Sequence, residues 1–472
     1  MIPGFIIAAN ATGAGKTSVA IALIRALRER GLRVAAAKLG PDFIDAAWLS
    51  WAAGLPSVNL DCRMASVAGL KRILRRLEHD LKPDILVCES AMGLYDGDRR
   101  GKGSAAELAV RLEMPALLLL DAKGLGGSVA PLADGFLGFE APWHTSLGKP
   151  RFCGLLCSKV SGARHADLLE NSLRPVLQKY NIPLAGFLPQ ADAPRLSSRH
   201  LGLRQASEEA PSLDVARLGK WAEENCDLDD LLRRLGVRVG QKQTPAPVAA
   251  PPFCKKKSPE SPVVAVARDE AFAFCYADLP ALLEELGCRV AFFSPLDDVS
   301  LPECDGVYIP GGYPELYASR LSRNLSMIAS IRARAARGMP LYAECGGYIY
   351  ISQSLRDPDG VRWPMAGLAP GERLMEKRLQ ALGYRFVRGA DSLGQVAAAG
   401  HEFHYGRDAL AVEPSLWEVR DSQGKRLSSQ GYQKDNIMAS WIHLYPEGSR
   451  KFWKYWTNKV REFRKARLNA RG

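Results

Sequence analysis

Short apolar runs alternate with amphipathic stretches along both halves of the chain. Residues 2–9, 33–38, 84–89, 115–121 and 152–159 read as strands, and the stretches between them carry helical spacing. Apolar strands separated by helices predict an α/β fold with a mostly parallel sheet covered by helices. Asn59-Leu60-Asp61 reads as a polar break in this succession. The pattern restarts near Val263, with strands predicted from residue 263 and at 289–293, 306–309, 339–343 and 436–441. Between the halves, residues 241–262 hold six prolines and Lys255-Lys256-Lys257, the composition of a linker. The expected organisation is 1–240, a linker 241–262, 263–448 and a basic segment 449–472. Functional groups belong beyond the carboxyl ends of such strands.

The first strand runs into Asn10-Ala11-Thr12-Gly13-Ala14-Gly15-Lys16-Thr17-Ser18, and a helical pattern follows. A strand, a glycine-rich loop, Gly-Lys-Thr and a helix make a P-loop. Gly13, Gly15, Lys16, Thr17 and Ser18 are the nucleotide-binding candidates. Backbone N–H groups would cradle the phosphates, Lys16 would reach the terminal ones, and the Thr17 hydroxyl would ligate Mg²⁺. Asn10 stands where the common pattern has its first glycine. Glu89, an acid at a strand end after a P-loop, is the candidate second Mg²⁺ ligand. Asp42, Asp45, Asp96 and Asp121 also lie at the carboxyl ends of strands.

In the second half, Leu341-Tyr342-Ala343-Glu344-Cys345-Gly346-Gly347 reads as a strand, a sharp turn carrying one cysteine, and the start of a helix. That is the geometry of a nucleophile elbow, with a helix N-terminus expected to favour thiolate. Upstream, Pro310-Gly311-Gly312 ends a strand and offers backbone N–H groups to an oxyanion; Gly312 and Gly346 are the candidates. Downstream, the strand at 436–441 leads to His443. Cys345 and His443 are thus candidate nucleophile and base meeting above one sheet.

Composition narrows the partners. The chain has 472 residues and a formal charge of +12. Residues 449–472 carry nine Lys/Arg against the single acid Glu462, a net +8, which leaves only about +4 elsewhere. Trp453, Trp456, Val460 and Phe463 share one face of this tail at helical spacing, so it reads as a docked helix with a solvated basic face, not a nucleic-acid or membrane binder. No apolar run reaches membrane-spanning length, the start lacks the features of a signal peptide, and the ten cysteines are scattered without a C-x-x-C pair. Reduced thiols in a cytoplasm are expected.

These stretches together resemble the cobyrinate a,c-diamide synthases of corrin biosynthesis. The likeness rests on the P-loop, Gly40-Pro41-Asp42-Phe43-Ile44-Asp45, Asn59-Leu60-Asp61, Met92-Gly93-Leu94-Tyr95-Asp96-Gly97, Ser198-Arg199-His200-Leu201-Gly202-Leu203, the segments 267–274, 311–316 and 343–347, Gly400-His401-Glu402-Phe403-His404-Tyr405 and the His443 strand. The resemblance implies a dethiobiotin-synthetase-like ATP domain joined to a class I glutamine amidotransferase domain. It implies that two carboxylates of a tetrapyrrole polycarboxylate become amides, with ATP, Mg²⁺ and glutamine or ammonia consumed through an acyl phosphate. Asp42, Asp45 and Asp96 are then expected on the substrate side. Hydrogenobyrinate or nickel-sirohydrochlorin stays open as the macrocycle, as does a homodimer. The competing reading is a P-loop ATPase with a degenerate glutaminase-like binding domain. A third, orienting carboxylate beside Cys345 and His443 is not evident; Glu447 is unassigned.

Overall fold

The computed structural model of the chain describes residues 2–98, 101–141, 147–190, 198–199, 202–203, 214–238, 260–390, 393 and 396–470. His200 and Leu201, and residues 241–259 of the proline-rich stretch, lie outside the described residues. The chain divides into two compact units, Met1–Pro252 and Phe253–Gly472.

The first unit is built on β1 (Gly4–Ala9), β2 (Val34–Leu39), β3 (Val58–Leu60), β4 (Ile85–Gly93), β5 (Ala116–Asp121), β6 (Phe152–Val160) and β7 (Leu184–Pro189). They lie in the order β3-β2-β4-β1-β5-β6-β7 with every pairing parallel. Both β1 and β2 are buried along their whole length, which is why they lack the alternation of a half-exposed strand. Asn59-Leu60-Asp61 is not a break: it forms and follows the edge strand β3. Asn59 can sit there buried because its amide donates to the carbonyls of Gly40 at 2.8 Å and Asp42 at 3.0 Å. The residues after β2 start a helix. Asp42 caps α2 (Phe43–Ala53) by accepting the Asp45 N–H at 2.9 Å, which satisfies one of the orphan donors of the first turn.

In the second unit, β8 (Val263–Ala267), β9 (Arg289–Phe293), β10 (Gly306–Ile309) and β11 (Leu341–Glu344) precede a short helix, α3 (Gly346–Ile351). After it come β12 (Ala381–Gly389), β13 (Ala397–His404), β14 (Trp417–Arg420), β15 (Tyr432–Lys434), β16 (Ile437–Ser440) and β17 (His443–Leu444). The main sheet has the order β9-β8-β10-β11-β16-β15. A second sheet has the order β14-β12-β13-β17. The predicted 436–441 strand therefore stops at Ser440, and the chain crosses to the second sheet before reaching His443.

The tail is α4 (Arg450–Asn469). Trp453, Trp456 and Val460 are fully buried, as the spacing predicts, with Phe463 packed at the margin. Trp453 meets Tyr308 edge-on at 5.3 Å, and Phe452 lies 4.6 Å from Tyr342. Three arginines of the helix, Arg450, Arg464 and Arg467, meet acids. Arg464 and Arg467 reach the wholly buried Asp305 at 2.9 and 2.8 Å, and Arg467 also pairs with Glu303 at 3.0 Å. Among the described residues, no helix is long and apolar enough to cross a membrane.

Candidate functional sites

The phosphate loop leaves β1 and enters α1 (Lys16–Glu29). Gly13 and Gly15 have φ of 82° and 92°, a region that favours glycine, and a Cβ built on either meets nothing within 4 Å. The loop thus presents open backbone, the form a phosphate cradle needs. Asn10 lacks a positive φ, so the backbone at this position does not require glycine. The Asn10 side chain instead accepts the Asp121 N–H at 2.9 Å and ties the loop to the end of β5. From β6, Ser158 donates to the Ala14 carbonyl at 2.8 Å. Lys159 donates to the Gly13 carbonyl at 2.7 Å and pairs with Asp121 at 2.5 Å.

Behind the loop lies a buried charge chain that sequence reasoning missed. The Thr17 hydroxyl donates to Glu89 Oε1 at 2.7 Å. Lys38, 3% exposed within β2, pairs with Glu89 at 2.9 Å and with Asp45 at 2.6 Å. Burial alone would lower the Lys38 pKa, but Glu89 and then Asp45 outweigh it and raise it, so the ammonium persists. Burial pushes Glu89 up to about 7 despite Lys38. Burial and then Lys38 lower the Lys16 pKa, while Glu89, Asp45 and Asp96 act on it in the opposite sense. These five side chains therefore share one electrostatic site. Asp45, expected on the substrate side, is tied through Lys38 to the candidate metal ligand. Asp42 caps α2, and Asp96 accepts the Gly93 N–H at 2.7 Å, closing the turn that follows β4. The signal for Lys38 was a lone lysine within the run Val-Ala-Ala-Ala-Lys-Leu.

Mg²⁺ fits this arrangement. Glu89 is 1% exposed, and its Oε2 is a buried oxygen with no protein hydrogen-bond donor. A carboxylate oxygen beside a threonine hydroxyl at a phosphate loop is a donor set suited to a hard cation.

In the second unit, Cys345 follows β11 with φ 47° and ψ −104°, a strained conformation for a residue other than glycine. The elbow is real. Its neighbours supply the room: a Cβ on Gly346 would stand 2.8 Å from Gly312 N, and one on Gly347 would collide with the Ile309 carbonyl. A Cβ on Gly311 would collide with His443 Cε1. The Gly311–Gly312 backbone thus lies between the His443 ring and the residue after Cys345. The Phe274 N–H donates to the Gly311 carbonyl at 3.0 Å, and the Ala271 carbonyl packs hard against Gly312, so the glycine pair is braced from below. Cys345 is 6% and His443 2% exposed.

Burial pushes the Cys345 thiol well up, with Glu315 acting in the same direction and the Gly346 N–H opposing it. The expectation of a resting thiolate at the helix N-terminus is therefore corrected. A short helix does not offset burial beside carboxylates. Burial also lowers the His443 pKa well below the usual value, with His401 and His404 adding to the effect. Both shifts favour the neutral forms, a thiol and an imidazole that can accept its proton. Glu447, unassigned in the sequence, turns to Arg450 at 3.4 Å.

A phosphate-loop unit and a cysteine-elbow unit in one chain are the two parts of a glutamine-dependent amide ligase with a nucleotide-binding domain, the class its relatives share. Residues 5–203 match the CobQ/CobB/MinD/ParA nucleotide binding domain, and residues 263–451 match the CobB/CobQ-like glutamine amidotransferase domain. A hydrogenobyrinate a,c-diamide synthase of Pseudomonas aeruginosa is 37% identical over 446 residues, covering 94% of each chain. One of Brucella anthropi is 37% identical over 450 residues, 93% of this chain and 98% of that protein. The chain belongs to the cobyrinate a,c-diamide synthase family.

Proposed function

We propose that this protein converts the a and c side-chain carboxylates of hydrogenobyrinate, or of cobyrinate, into amides, using ATP and glutamine. The carrying observation is that the hydrogenobyrinate a,c-diamide synthases resemble it over nearly the full length of both chains. That favours hydrogenobyrinate over the cobalt-bearing ring.

In this reading ATP lies on Gly13, Gly15, Lys16, Thr17 and Ser18, and a substrate carboxylate attacks the γ-phosphate. The acyl phosphate formed has a good leaving group where the carboxylate had none. Mg²⁺, held by Thr17 and Glu89, would neutralise charge on the phosphates. Lys16 does the same from the protein side, and Lys38 keeps Glu89 and Asp45 in register. A cleft of about 490 Å³ lined by Lys123, Lys159, Arg164 and His165 adjoins the loop through Lys159 and has room for the nucleoside. Asp42, Asp45 and Asp96 set the geometry on the substrate side of the loop.

In the second unit His443 takes the Cys345 proton as the sulfur attacks the side-chain amide of glutamine. Gly312 and Gly346 N–H groups hold the oxyanion, and His443 returns the proton to departing ammonia. Water then releases glutamate, and ammonia displaces phosphate from the acyl phosphate. The protein works in the cytoplasm, on small molecules only. Incubation with ATP, Mg²⁺, glutamine and each macrocycle in turn, followed by mass spectrometry, tests the reading. Two carboxylate-to-amide conversions on hydrogenobyrinate are expected, and none on any tetrapyrrole would overturn it.

A further inference from the structure

The stretch Gly400-His401-Glu402-Phe403-His404-Tyr405 has no part in the mechanism above, yet it lies against the base. Strand β13 pairs with β17 so that His401 is directly opposite His443 and Gly400 opposite Leu444. A Cβ on Gly400 would collide with the His443 carbonyl, so the glycine permits this approach. The two imidazole rings are stacked, with centroids 5.0 Å apart and planes 18° from parallel. On the far side, the Tyr276 hydroxyl and His401 Nδ1 share a hydrogen bond of 3.0 Å. Tyr276 is itself held edge-on by Tyr445 at 5.2 Å. All of these side chains are buried.

A histidine base needs its ring plane fixed, because the terminal torsion of an imidazole is broad. Nucleophile–base pairs commonly solve this with a carboxylate on the second ring nitrogen. Three carboxylates around the pair have partners of their own. Glu344 accepts the Leu444 N–H at 3.1 Å, Glu447 pairs with Arg450, and Glu402 is held by Arg385, His404 and Gln430. We propose that Tyr276 and His401 together orient the His443 ring, with the His401 face setting its plane and the Gly311 backbone limiting its edge. The inference rests on the proposed roles of Cys345 and His443. His401 is a positioning residue and touches no substrate. Burial lowers the His401 pKa to about 3, with Glu402 and Arg385 acting on it in opposite senses, so the ring stacks as a neutral group. A neutral partner fixes the plane without stabilising a resting imidazolium, as a carboxylate would.

Three variants of the full chain test this: His401→Phe keeps a planar ring, His401→Leu keeps bulk without a plane, and Tyr276→Phe removes only the hydroxyl. Glutamine hydrolysis is measured as separate kcat and KM, with a melting curve for each variant. His401→Leu should lower kcat by about tenfold to a hundredfold, since misplacement of a catalytic group by about 1 Å costs on that order, with KM for glutamine unchanged. His401→Phe should recover most of the loss, and Tyr276→Phe should fall between. Equal impairment of His401→Phe and His401→Leu, no impairment in either, or a rise in KM in place of the fall in kcat would overturn the proposal. Should His401→Leu fail to fold, Tyr276→Phe decides alone: an unchanged kcat overturns the proposal and a lowered one supports it. A His443→Ala variant that keeps full glutaminase activity would instead remove the underlying base assignment.

Discussion

Glu344 Oε1 accepts the Leu444 N–H at 3.1 Å, so the residue before the elbow cysteine holds the residue after His443. Its other oxygen accepts the Tyr308 hydroxyl at 2.8 Å. Burial pushes this carboxyl up to about 8 from an ordinary value of 4.5. The folded state keeps a proton that the unfolded chain releases, so the group's contribution is whole below about pH 4.5 and is lost as pH rises to about 8. Glu344→Gln, a neutral acceptor, should flatten that part of the stability–pH curve, read from urea midpoints. Glu344→Ala should cost about 1–3 kcal/mol by stranding two buried donors.

Lys16→Ala should abolish amide synthesis and leave glutamine hydrolysis largely intact, because the two chemistries reside in separate units. The two activities are measured as amide product and glutamate release. Full synthesis in the variant would remove the phosphate loop from the mechanism.

Lys38→Met should be more damaging than Asp45→Asn. It strands two carboxylates, and breaking such a buried arrangement costs about 3–5 kcal/mol. Asp45→Asn leaves the Lys38–Glu89 pair in place, so it should impair synthesis more than nucleotide affinity. Nucleotide titration of both variants separates the cases. Affinity falling in step with activity in Asp45→Asn would place that acid on the metal side.

Cys345→Ala should lose all glutamine-dependent synthesis yet make both amides from a high concentration of ammonium salt. Its rate should climb with pH, because only the free base attacks. In the native protein, alkylation of Cys345 by a small haloacetamide should be slow at neutral pH, as the raised thiol pKa requires. Rapid alkylation in the absence of glutamine would mean that His443 already holds the proton.

Truncation after Glu447 should destabilise the second unit severely, since it removes three fully buried aromatic side chains, Phe452, Trp453 and Trp456, and both arginine partners of Asp305. Arg464→Ala alone should cost about 1–3 kcal/mol, with Arg467 still in place. Urea unfolding measures both. A large rise in KM for the macrocycle without loss of stability would assign the basic face to substrate handling instead.

The parts legible in the sequence were those whose chemistry is carried by local order. Gly13–Lys16 and Glu344–Gly347 each announce a turn, and each forms the turn expected. Trp453, Trp456 and Val460 declared a buried face by spacing alone. What stayed hidden depends on which strands lie side by side. Lys38 matters because β2 is next to β4, a neighbour 51 residues away from it at Glu89. His401 was visible within a quoted motif, but its role appears only when β13 pairs with β17. The thiolate expectation failed because a helix end can be read from sequence, whereas the burial that opposes it cannot.

A neutral, walled-in thiol reacts slowly with peroxide, because oxidation also begins from the thiolate. The burial that keeps Cys345 protonated between turnovers thus shields the sulfur from sulfenic acid formation. Vulnerability would be confined to the moments when glutamine is bound and the proton has moved. Oxidative inactivation should then track turnover, so that a working enzyme ages faster than a stored one.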